Sequence, residues 1–122
     1  MKLLVLLLYL FSNPVHLQSC RSLKKGVFAN EEMDTVIVRT KTHQTEVSEK
    51  NGINFTWRLN WLNDCEYNMI LEKDISTTPL VVFKIGDTIR VKISKIYKDK
   101  YDWEASFKGH TLHGFNYILD TK

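Results

Sequence analysis

The chain has 122 residues, a formal net charge of +3, 43% hydrophobic and 25% charged residues, which fits one domain burying a modest single core. Basic and acidic residues nearly balance, so charge points to neither a nucleic-acid partner nor an acidic substrate. No low-complexity tract and no repeat at solenoid spacing is present.

The first stretch reads as a secretory signal over residues 1–19. Lys2 gives a short positive start, LLVLLLYLF at residues 3–11 is an unbroken apolar run, and residues 12–19 are more polar and broken by Pro14. As a helix the apolar run reaches only about 14 Å, against a bilayer core of roughly 30 Å, so it is not a transmembrane anchor. Leu17 at −3, Ser19 at −1 and Cys20 at +1 resemble a bacterial lipobox, with Gln18 at −2 as a departure. That resemblance implies acylation of Cys20 and anchoring to a membrane through the lipid. The other use for Cys20 is a disulfide with Cys65. With Cys20 acylated, Cys65 becomes a free thiol on the apolar face of a strand, where a cysteine behaves as a small hydrophobe. Residues 20–25 then form a polar tether, and residues 26–122 the folded domain.

Residues 25–29 open the sheet, and residues 35–40 and 43–48 are weaker strands. Residues 53–62 are the clearest: Ile53, Phe55, Trp57, Leu59 and Trp61 alternate with Asn54, Thr56, Arg58 and Asn60, the pattern of a half-buried antiparallel strand. Cys65, Tyr67, Met69 and Leu71 continue the period. So do Ile89, Val91 and Ile93, and then Tyr101, Trp103, Ala105 and Phe107. Residues 80–84 and 112–119 are weaker strands. The links are short, with Asn51-Gly52, Lys98-Asp99-Lys100 and Lys108-Gly109 as turn signals.

Together these predict an all-β domain: an antiparallel up-and-down meander of about eight strands, preceded by the signal-peptide helix. A sheet of that size with one aromatic-rich face curls into a small barrel or half-barrel. Phe55, Trp57, Trp61, Tyr67 and Trp103 are the candidates for core or ligand-facing positions.

The block WRLNWLNDCEY at residues 57–67 is the most distinctive segment. With Lys24-Lys25-Gly26-Val27-Phe28, the strand ending at Arg39 and the late run from Gly86 to Ile93, it resembles a family of small Bacteroidetes lipoproteins. The resemblance covers nearly all of the mature chain and implies an exported β domain with no assigned activity. Gly26-Val27-Phe28 is also similar to the opening of lipocalin-like folds, where a glycine precedes an aromatic that plugs the barrel. This second resemblance implies a ligand-holding interior.

Other patterns carry less. Asp64 and Glu66 flank Cys65, but alternation separates thiol from carboxylates, so they do not converge as general acid–base work requires. Glu66 is expected to pair across strands with Arg58. His110 and His113 fall on opposite faces of a strand, and no metal-binding spacing occurs. The lysines and aromatics of residues 92–108 are interrupted by Asp99, Asp102 and Glu104 and read as a solvated face. The expectation is a non-enzymatic, lipid-anchored binding or structural module of the cell envelope, facing the periplasm from the outer membrane. It needs no cofactor, metal or nucleic acid, and its partner is an envelope protein or a small apolar ligand. The alternative is a lipocalin-like carrier of such a ligand.

Overall fold

The computed structural model describes residues 19–78 and 82–121; the expected signal peptide lies almost wholly outside them. A 3-10 turn, Cys20–Lys24, is followed by eight strands: β1 Gly26–Ala29, β2 Val36–Arg39, β3 His43–Ser48, β4 Ile53–Asn63, β5 Glu66–Asp74, β6 Thr88–Ile96, β7 Lys100–Phe107 and β8 His110–Asp120. Each pairs antiparallel with the next, and β8 returns to β1 through Phe28↔Ile118 and Ala29↔Tyr117, closing the barrel. Closure removes both sheet edges, the surfaces most prone to pairing with another chain.

The barrel closes around one apolar face because the period-2 pattern points it inward. Phe55, Trp57 and Leu59 of β4, Tyr67, Met69 and Leu71 of β5, and Ile89, Val91 and Ile93 of β6 are all buried. Register shifts between Thr56 and Trp57 and between Ile93 and Lys95 bend the long strands as β-bulges do. Of the strand expected over residues 80–84, residues 80 and 81 lie outside the described residues, while Val82 is in a turn and Phe83 and Lys84 have no regular structure. They belong to the long β5–β6 connection, where Lys84 N–H bonds the Asp87 carboxylate at 2.8 Å and Asp87 N–H returns to the Lys84 carbonyl.

The two ends differ. At one end the segment expected to be a tether is folded: Ser19 caps the 3-10 turn, and Leu23 is wholly buried. Four contacts hold this plug. Cys20 is disulfide-bonded to Cys65, and Lys24 pairs with Asp64 at 2.9 Å. The Lys24 ammonium also lies 5.0 Å from the Trp61 ring, and Arg39 donates to the Leu23 carbonyl at 2.8 Å. At the other end lie the connections 30–35, 49–52 and 108–109, with the described parts of the β5–β6 connection, 75–78 and 82–87. Among the described residues no helix is long and apolar enough to cross a membrane.

Candidate functional site

The base of the barrel is solid. Phe28, behind Gly26, is wholly buried and meets Tyr101 edge to face at 5.5 Å. Gly26 has φ +150, and a Cβ there would strike the Asp120 carbonyl, so only glycine admits this strand crossing. Above Phe28 sits Arg39, 2% exposed, its guanidinium 4.5 Å from the ring. Its Nε donates to Gln44 Oε1 at 2.8 Å, and Nη2 to the hydroxyls of Tyr101 and Tyr67 at 2.8 and 3.2 Å. A buried cation is tolerable only when its donors are met this fully.

The polar chain continues upward. Gln44 Nε2 donates to Glu46 Oε2 at 2.9 Å, and the Trp57 indole N–H to Glu46 Oε1 at 3.0 Å. On the far wall Asn116 Nδ2 donates to the Tyr101 hydroxyl at 3.0 Å, while Asn116 Oδ1 accepts from the Trp103 indole at 3.3 Å. The network therefore crosses the barrel from β3 to β8 through Arg39. Gln44, Glu46 and Ser48 form a polar inward row on β3, placed by the pairs Arg39↔Gln44, Ile37↔Glu46 and Gln44↔Trp57.

Above this floor the barrel is hollow. A cavity of about 300 Å³ opens toward the end opposite the plug. Its walls are mainly apolar: Ile37, Phe55, Trp57, Met69, Val91 and Trp103, with Phe83 from the β5–β6 connection. Phe83 lies over the cavity, 5.4 Å from Trp57 and 5.3 Å from Phe107, ring to ring. Gly114 leaves room for the Trp103 ring, since a Cβ there would meet its six-membered ring at 2.5 Å. Asn30 and Thr35 add polar groups near the mouth.

Among the described residues that line the cavity, Glu46 is the one carboxylate. Burial pushes its pKa above the ordinary 4.5, although the hydrogen bonds from Gln44 and Trp57 and the charge of Arg39 pull the other way. Burial also drives the Tyr67 hydroxyl far above its usual range, so it stays a neutral phenol. The cavity is thus an apolar pocket with a few convergent polar groups and one perturbed carboxylate, the features of a small-molecule site.

Of the residues singled out from sequence, Phe55, Trp57, Tyr67 and Trp103 line this cavity. Trp61 does not: it packs on Tyr67 at 4.5 Å and donates to the Lys41 carbonyl near the plug. Cys65 is not on a strand face. It sits in the tight β4–β5 turn, held by Asn63 Oδ1 accepting from its N–H, and its sulfur is bonded to Cys20. The strand phase fails there because β4 runs to Asn63 with a register shift after Trp61. Glu66 pairs with Arg90 of β6 at 2.8 Å and not with Arg58, because β6 is its neighbour on the other side. Asp64 and Glu66 stay apart, each held ionised by its own cation, Lys24 and Arg90.

Glu46, Gln44, Arg39, Phe83 and Asn116 were not singled out as site residues. The signal for β3 was available: every strand of a closed barrel has an inward face, and His43–Ser48 has no apolar row to fill it, so a polar row must enter. The chain matches no protein-family description, no curated protein and no solved structure.

Proposed function

We propose that this protein is an exported, non-enzymatic binding barrel whose hollow half holds a small, largely apolar ligand. The observation that carries it is the cavity of about 300 Å³ above the Arg39–Gln44–Glu46 floor, open at one end and walled by Phe55, Trp57, Trp103 and Phe83. A concave space of that size with mainly apolar walls and a few convergent polar groups has the make-up of a small-molecule site. The signal-like residues 1–19 and the Cys20–Cys65 disulfide both support an oxidising, extracytoplasmic location.

Envelope anchoring belongs to the same proposal in a conditional form. One sulfur cannot carry both a thioether to a lipid and a disulfide, so acylation of Cys20 would require Cys65 to be free. The bond between them supports a soluble or peripherally held barrel.

Toluene tests the cavity without assuming a headgroup. A ligand that binds only the folded state raises its stability, so toluene is expected to raise the melting temperature of the wild type. Ala105→Trp, which fills the cavity from β7, is expected to abolish the rise. A wild-type melting temperature that does not respond would remove the binding-barrel reading.

A further inference from the structure

The polar valences left open in the cavity define the ligand's chemistry. A carboxylate offers about four lone-pair sites, and the Glu46 oxygens each receive one protein donor, from Gln44 and Trp57. Each oxygen retains acceptor capacity. The Arg39 cation does not line the cavity, and four of its five N–H donors are taken by Gln44, the Leu23 carbonyl, Tyr67 and Tyr101. The floor thus offers the open acceptor sites of Glu46 with no cation lining the cavity, and an ammonium placed beside that carboxylate would favour its ionised form. Around it stand the rings of Phe55, Trp57 and Phe83, whose π-faces attract a cation. An anionic amphiphile such as a fatty acid would bring its carboxylate toward Glu46 and be repelled.

We infer that the cavity selects a small apolar amine, its ammonium group placed on the Glu46 carboxylate and its body among the aromatic walls. The volume of about 300 Å³ equals about ten water volumes, which suits an ammonium compound of on the order of ten non-hydrogen atoms. An arylalkylamine meets both the size and the charge. This inference rests on the cavity being a binding site, and it adds the class of molecule held there.

The test is calorimetric titration of the disulfide-bonded protein at pH 7.5 with 2-phenylethylamine, 2-phenylethanol and 3-phenylpropanoate, which share a body and differ in headgroup. The amine is expected to bind at least tenfold more tightly than the alcohol, and the acid not to bind measurably. In Glu46→Gln the amine-to-alcohol ratio is expected to fall to about one. Equal wild-type affinities for amine and alcohol, or a ratio unchanged in Glu46→Gln, would overturn the inference. The wild-type ratio decides the matter by itself if the variant does not fold. If toluene stabilises the protein and the amine shows no preference, only the amine assignment falls; if toluene also fails, the binding-barrel reading falls with it.

Discussion

The indole N–H of Trp57 donates to the Glu46 carboxylate at 3.0 Å inside the barrel, joining the main aromatic wall to the cavity's carboxylate. The same Trp57 ring meets Phe83 at 5.4 Å, so one side chain contacts both the carboxylate and the ring over the cavity. Floor, wall and cover are one connected unit.

Glu46 should leave a signature in the pH dependence of stability. Its folded-state pKa lies above the ordinary 4.5, so the folded state holds the proton more tightly than the unfolded state. Its contribution is therefore fully present below about pH 4.5 and is lost as pH rises through the raised value. The charged and titratable groups coupled to it are Arg39 and Tyr67, whose pKa values are both raised and lie well above that window. Asp34, Asp64 and Glu66, whose pKa values are lowered, act in the opposite sense but cancel between variants. Urea unfolding from pH 4.5 to 8 should show the stability of wild type relative to Glu46→Gln declining as pH rises. A difference that is flat or increasing would contradict the assignment.

Arg39 should be the most sensitive single position in the floor. Arg39→Met would strand the Leu23 carbonyl, Gln44 Oε1 and the Tyr67 hydroxyl, leave the Tyr101 hydroxyl with Asn116 alone, and remove the countercharge of Glu46. Removing one partner of a buried charged network costs about 3–5 kcal/mol. Arg39→Lys should not restore it, because an ammonium cannot reach acceptors spread around a planar fork. Denaturant midpoints of the two variants check this; recovery in Arg39→Lys would mean that the charge alone matters.

The plug is the third test. The disulfide spans 45 residues, and constraining a loop of that length in the unfolded chain stabilises the fold by about 4 kcal/mol. Cys20→Ser and Cys65→Ser should each lose about that much. In the wild type, neither thiol should react with iodoacetamide before reduction, and the intact mass should carry no acyl chain. A palmitate-labelled protein with an alkylatable Cys65 would restore the lipid anchor and displace the disulfide.

The eight-stranded antiparallel architecture was legible in the sequence because strands such as Ile53–Asn63 and Thr88–Ile96 carry one large apolar row and one polar row. That pattern fixes the inward face and, with short turns, the order of neighbours. The cavity aromatics were legible for the same reason. What was not legible depends on distance in space. Periodicity alone cannot say that Cys65 leaves the strand at a turn beside Cys20. Nor can it say that Trp61 lies below the cavity while Trp57 lines it, since both share one face of β4 and differ only in depth along the barrel. Glu46 was obscured because the two faces of β3 are similarly polar, and Phe83 because its segment has no regular structure.

The three tryptophans report directly on whether the hollow half of the barrel binds a ligand, since two line the cavity and Trp61 lies outside it. Their indole N–H groups give separate signals in a nitrogen–proton correlation spectrum, which can be followed as toluene is added. The Trp57 and Trp103 signals are expected to move with a common saturating dependence while Trp61 stays in place. Equal movement of all three, or movement of Trp61 alone, would contradict it.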